Sequence, residues 1–154
     1  MNKENLKTIS KNKKAYHDYF VLESFEAGIE LLGTEVKSIR QGKVNLKDSW
    51  CSIVDSEILI NGMHISHYDH GNIFNQDPMR VRKLLMHRKE IMKLLGKIKQ
   101  DGYSLIPLSI YFKGSKVKVQ VGLCKGKKLY DKRASIKVRD AKRDVERSLK
   151  QENK

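Results

Sequence analysis

Apolar and polar positions alternate most cleanly between Lys116 and Leu123. There Val117, Val119, Val121 and Leu123 share one face, and Lys116, Lys118 and Gln120 the other. That period of two predicts a strand with one buried side. Tyr103 to Phe112 is more continuously apolar, as a buried strand would be, and Lys113-Gly114 supplies the turn between the two. Tyr19 to Leu32 mixes aromatics and aliphatics with poor helical periodicity. It predicts a long strand, bent at Glu26-Ala27-Gly28 by a bulge or tight turn. Trp50 to Asp55 and Glu57 to Asn61 read as two short strands of a hairpin around Asp55-Ser56.

Helical periodicity is confined to three places. Thr34 can cap a short helix whose Val36 and Ile39 share a face, with Gly42 stopping it. Asp77-Pro78 marks the start of the longest helix, since the carboxylate can cap free N–H groups and proline suits the first helical position. Its stripe is Leu84, Leu85, Ile91, Leu95 and Ile98, with Gly102 ending it. Between these helices, Met63 to Gln76 is polar and aperiodic, and reads as a loop. The third stripe is thin: Val138, Ala141, Val145 and Leu149, in a region otherwise poor in apolar residues.

These patterns divide the chain into residues 1–14, a flexible basic arm with structure beginning near Tyr16; residues 15–124, the folded body; and residues 125–154, a basic tail. The tail is expected to be disordered when free and to become helical on a partner. Short strands, one long bent strand and few helices predict a mainly β fold. The expected class is an OB-like closed antiparallel β-barrel, a class that often carries nucleic acid.

Charge sharpens the picture. The chain of 154 residues has 32 Lys and Arg against 18 Asp and Glu, a formal net charge of +14. Residues 125–154 alone hold 12 basic against 5 acidic side chains, a net +7, so half of the excess sits in the tail. Such a surface is suited to a polyanion. No apolar run approaches the ~18 residues of a membrane span. The first residues also lack the apolar stretch of a secretory signal, so a cytoplasmic protein without a membrane partner is expected. Cys51 and Cys124 lie far apart in the chain and are expected to be free, buried thiols. The basic residues cluster: Lys11, Lys13 and Lys14 precede His17 and Tyr19; Arg80, Arg82 and Lys83 form a second group; Lys125, Lys127, Lys128, Lys132 and Arg133 open the tail. Cations neutralise phosphates and the interspersed aromatics can stack on bases, which is the composition of an RNA-binding surface.

Catalytic patterns are weak by comparison. His64, His67 and His70 form an H-x-x-H-x-x-H array that invites a zinc reading. The segment looks like a strand end entering a loop, where a spacing of three does not align the rings, and no metal or cofactor is expected. Gly122 to Lys128 superficially resembles a phosphate-binding loop. It has three residues between its glycines where four are needed, and Lys128 where Ser or Thr would hold magnesium. No nucleophile elbow is present, and the chain reads as a non-enzyme.

NKKAYHDYF, FEAGIELLGTEVKSIRQGKVNLKDS, RKLL and KVKVQVGLCKGKKLYDKR follow one another in order. Across residues 12–139 the pattern resembles the SsrA-binding protein (small protein B) family, most specifically in Gly33 to Lys43 and Gly126 to Arg133. The resemblance implies a barrel of about six strands with flanking α-helices. It implies a monomer that binds the tRNA-like domain of transfer-messenger RNA. The family brings that RNA to the A site of stalled ribosomes for trans-translation, and does no chemistry itself. By matching motifs, Glu26, Leu85 and Lys118 correspond to family residues that hold the RNA. Together with the basic clusters, the implied RNA-binding set is His17, Tyr19, Glu26, Lys37, Arg40, Arg82, Leu85, Lys118 and Lys125. The segment implied to reach the ribosomal decoding centre and message channel comprises Lys127, Lys128, Asp131, Lys132, Arg133, Lys137 and Arg139. Two positions depart from some relatives: Ala141 stands where they carry tryptophan, and Gln120 where they carry lysine. Basicity and tails would equally suit an OB-fold, initiation-factor-like protein that binds ribosomal RNA. The joint occurrence of FEAG, RKLL and GKKLYDKR distinguishes the two readings.

Overall fold

The computed structural model describes residues 6–69 and 75–128. In chain order its elements are β1 (Leu6–Lys11), α1 (Lys13–Asp18), β2 (Tyr19–Ile29), α2 (Gly33–Arg40), β3 (Val44–Asn45), β4 (Trp50–Val54), β5 (Glu57–Asn61), β6 (His64–Ile65), β7 (Arg82–Leu85), α3 (Arg88–Asp101), β8 (Ser104–Lys113) and β9 (Lys116–Gly126).

The alternating segment is β9, and it pairs on both edges, with β8 and with β2. From β2 the antiparallel ladder passes to β7, β5 and β4, and Cys51 of β4 returns it to Leu105 of β8. The sheet is thereby a ring of about six strands, with helices around it, as expected for an OB-like barrel. Closure pairs the edges that an open sheet would leave bare. Inside lie Ile39, Ile58, Ile60, Leu84, Leu94, Leu105, Ile110, Val119, Val121 and Leu123, all buried. Each such aliphatic chain contributes about 1.5–3 kcal/mol on leaving water. At the Asp55-Ser56 turn both residues have positive φ, 51° and 65°, the backbone that a two-residue hairpin requires.

Several expectations change. Residues 1–14 are not all arm: Leu6–Lys11 is β1, paired with β8 from Ser109 to Lys113, and α1 follows it. Asn12 explains the anchoring. Buried itself, it accepts from the Ala15 N–H and donates to the Leu46 and Pro107 carbonyls. The longest helix starts at Arg88 rather than at Asp77-Pro78, because residues 82–85 pair with β5 and β2 as strand β7. An apolar pair such as Leu84-Leu85 fits a helical stripe or a strand equally well, and pairing decides between them. Asp77 instead accepts from the Met79 N–H in a turn. On α3 the deeply buried residues are Ile91 and Leu94, with Leu95 only half-buried. Gly102 ends α3 with a left-handed φ of 68°, as expected.

The long strand β2 runs unbroken through Glu26-Ala27-Gly28. Its register shift lies earlier, between Val21 and Glu23. The segment read as a loop from Met63 contains β6, paired with β3. At α2 the side chain that satisfies the helix start is Glu35, which accepts from the Leu32 N–H at 3.0 Å. The body also outlasts residue 124, since β9 continues to Gly126. The tail from residue 129, and with it the expectation of disorder turning to helix, lies outside the described residues.

Candidate nucleic-acid interface

Strand register sets four residues in one row across the barrel wall. Leu85 of β7 faces Gly28 of β2, Gly28 faces Lys118 of β9, and Lys118 faces Tyr111 of β8. Residues directly opposite in a ladder lie on the same face, so this row and Glu26, two positions before Gly28, share the outer surface. Alternation along β7 does the sorting: Leu84 is buried inside and Leu85 is 48% exposed. Because Gly28 has no side chain, the wall is recessed between Leu85 and Lys118. A Cβ there would stand 3.2 Å from the Leu85 Cβ. The result is a groove of about 760 Å³ that brings Glu26, Leu85 and Lys118 together.

The groove is electrostatically mixed. Glu26, Asp55, Glu57 and Glu90 line it beside Lys83, Arg88 and Lys118. Tyr111 Oη donates to Glu26 Oε2 at 2.5 Å, and Lys113 Nζ to Oε1 at 3.3 Å. The Tyr111 hydrogen bond, opposed by partial burial and aided by Lys113 and Lys118, holds the Glu26 carboxyl below the usual range. Burial, then the facing carboxylate, pushes the Tyr111 phenol up. Glu26 is therefore an ionised acceptor held by a neutral donor. Neither Tyr111 nor Lys113 is among the residues that the sequence points to for RNA, although alternation along β8 places both on one face.

The other expected RNA contacts do not join this groove. His17 lies in the last turn of α1 with its Nδ1 2.9 Å from Asp18 Oδ1, and Tyr19 opens β2 opposite Gly126. Lys125 pairs with Phe20, while Lys127 donates from its backbone to Asp18 O and from Nζ to Tyr16 O. Lys127 Nζ also lies 5.1 Å from the centre of the exposed Phe20 ring, a cation–π arrangement. Lys128 follows, exposed. A third place is α2, where Lys37 lies over the Tyr68 ring at 5.4 Å and Arg40 over Phe112 at 5.2 Å. Asp131, Lys132, Arg133, Lys137 and Arg139 lie outside the described residues.

Arg82 is a correction. Its side chain is 1% exposed, with Nε donating to Glu35 Oε2 at 2.6 Å, Nη1 to Met63 O and Nη2 to Pro78 O. A guanidinium that is buried, with its donors turned to a carboxylate and two carbonyls of the fold, presents no surface for RNA. Arg80 Nη2 donates to the other Glu35 oxygen, also at 2.6 Å. Burial would raise the Glu35 carboxyl most strongly, but Arg80, the Leu32 N–H and Arg82 together outweigh it and hold the carboxyl low.

Of the histidine array, His64 is exposed on β6, His67 Nε2 lies 2.9 Å from Gln76 O, and His70 is outside the described residues. Among the described residues no group of three or more His, Cys, Asp or Glu is arranged to hold a metal. GLCKG is the end of β9 rather than a loop. Cys51 and Cys124 are free and buried, and burial pushes the Cys124 thiol up to about 11. Among the described residues no helix is long and apolar enough to cross a membrane.

A closed OB-like barrel with a strongly basic chain, a recessed outer wall and cations beside aromatic rings defines a nucleic-acid-binding protein of the small β-barrel class. The comparisons with known proteins agree. The model of the family described as "SmpB protein" matches residues 9–151. An SsrA-binding protein of Ruminiclostridium cellulolyticum is 56% identical over 152 residues, covering 99% of each chain. Another, of Clostridium kluyveri, is 59% identical over 150 residues, covering 97% of this chain and 96% of its own. Among solved structures, a chain described by the words "tmRNA-SmpB: a journey to the center of the bacterial ribosome" superposes with a TM-score of 0.66 at 47% identity. That superposition covers 78% of this chain and 85% of the other. The chain belongs to the SmpB family of SsrA-binding proteins.

Proposed function

We propose that this protein binds the tRNA-like domain of transfer-messenger RNA and brings it to stalled ribosomes, where the nascent peptide is tagged by trans-translation. It acts in the cytoplasm as a binding protein without chemistry of its own. One observation carries the reading. Glu26, Leu85 and Lys118, the three residues that family motifs assign to RNA, come from separate strands and meet on one groove. The name of the relatives and the description of the neighbouring structure point the same way. His17, Tyr19, Lys125, Lys127 and Lys128 form a second basic edge, where the tail leaves the barrel beside α1. From there Asp131, Lys132, Arg133, Lys137 and Arg139 continue toward the decoding centre and message channel.

A reconstituted tagging reaction, run beside RNA affinity, tests this. A chain ending at Lys128 keeps its affinity for the tRNA-like domain and loses tagging on messages without a stop codon. A tail of scrambled order and identical charge also loses tagging, because a defined helical face is required. Full tagging by the truncated chain sinks the tail mechanism, and unchanged affinity in Lys118→Ala with Leu85→Ala sinks the groove.

A further inference from the structure

We propose that the groove reads one unpaired guanine, with Glu26 accepting from its Watson–Crick edge and Tyr111 acting as the positioning residue for Glu26. The proposal rests on the RNA-binding function above and specifies which base the groove takes.

The argument begins with the lining. A groove for phosphate alone would be uniformly cationic, yet four carboxylates line this one in a chain of net charge +14. Carboxylates repel phosphate and the acceptor atoms of bases, and they attract N–H and O–H donors. The chemistry selects a donor-rich ligand edge.

Glu26 narrows the choice. An ionised carboxylate offers about four lone-pair positions over its two oxygens. Tyr111 occupies one on Oε2 and Lys113 one on Oε1, leaving one on each oxygen of a side chain that is 39% exposed. Two adjacent open acceptors match two adjacent donors. Among the RNA bases only guanine presents them, as N1–H and the 2-amino group. Adenine and cytosine set an acceptor beside their donor, and uracil flanks its one N–H with two carbonyl oxygens. Each of those acceptors would face a carboxylate oxygen, which is a repulsive element against the wrong base.

The surroundings fit a splayed-out base. Single-stranded RNA is read by bases that leave the stack, and this groove is within the ~300–1,000 Å³ of small-ligand sites. Leu85 offers an exposed apolar surface, Gly28 leaves the floor clear, and Lys118 stands across Gly28 where a phosphate would follow. Tyr111 fixes the geometry. Its 2.5 Å bond to Oε2 sets the carboxylate plane, and its neutral phenol adds no competing charge.

The test uses the full chain and a tRNA-like-domain transcript in which guanosines are replaced one at a time by inosine, which lacks the 2-amino group. One position is expected to lose about tenfold or more in affinity, the effect of a hydrogen bond to a charged group. Glu26→Gln should erase that sensitivity. It should also accept adenosine or cytidine there, since the one acceptor and one donor of an amide match the donor and acceptor that either base presents. Tyr111→Phe should lower the guanosine-to-inosine affinity ratio with melting unchanged, which a purely structural tyrosine would not do. Two outcomes overturn the guanine reading while leaving RNA binding intact. One is tight binding with no inosine-sensitive position. The other is a Glu26→Gln loss that is equal for guanosine and inosine RNA, the mark of a ribose hydroxyl contact. Failure of the wild-type chain to bind the transcript takes down both this reading and the function on which it rests.

Discussion

Glu35 and Arg82 stand 47 positions apart in the chain and 2.6 Å apart in the fold. The contact ties the first turn of α2 to the first residue of β7, the strand that presents Lys83 and Leu85 to the groove. Arg80 and the Leu32 N–H complete the arrangement around the same carboxylate.

Breaking that pair strands a buried charge. Glu35→Ala is expected to destabilise the protein by about 3–5 kcal/mol, read as a shift in urea midpoint at constant slope. Arg82→Ala should do the same, whereas Arg80→Ala, at a third-exposed side chain, should cost much less. Equal effects of Arg80→Ala and Arg82→Ala would contradict the burial assigned to them.

The same carboxylate sets an acid limit. Its folded-state pKa lies below the ordinary 4.5, so its contribution is fully present above that pH. The contribution is lost as pH falls through the depressed folded value. Wild-type stability should therefore drop below about pH 4.5 more steeply than that of Glu35→Gln, which has no proton to gain at this site. Parallel curves from urea titrations across that window would refute the assignment.

Lys118 projects from β9 beside the recessed wall. If it meets a phosphate, Lys118→Ala flattens the dependence of log affinity on log salt by about one unit or less, through the lost counterion release. Filter binding of the tRNA-like domain at a series of salt concentrations measures this. A parallel line of lower affinity would instead mark a base or sugar contact.

Asn12 seals the junction of β1 and α1. Asn12→Ala removes a helix cap and leaves the buried Leu46 and Pro107 carbonyls without this donor, a loss of about 2 kcal/mol or more. Removing residues 1–11 should also lower the melting temperature, because β1 covers the edge of β8 from Ser109 to Lys113. An unchanged melting temperature after that deletion would return the segment to a mere arm.

Much of the barrel was legible because a strand writes its own period. The alternation of Val117, Val119, Val121 and Leu123, the turn at Asp55-Ser56 and the stop at Gly102 are local properties of neighbouring residues, and all three stand in the structure. Motif order likewise marked Glu26, Leu85 and Lys118. What pattern could not decide was anything resting on a partner distant in the chain. Leu84 and Leu85 fit a helix until pairing with Ile58 and Gly28 made them a strand and turned one in and the other out. Arg82 read as one cation among several in a basic run, and only Glu35, 47 positions earlier, withdrew it into the core. β1 looked too polar to order itself, and it is ordered by an edge of β8 about a hundred residues away. Charge and periodicity are properties of the chain. Burial and register are properties of which segments meet, and the closure of the ring decided both.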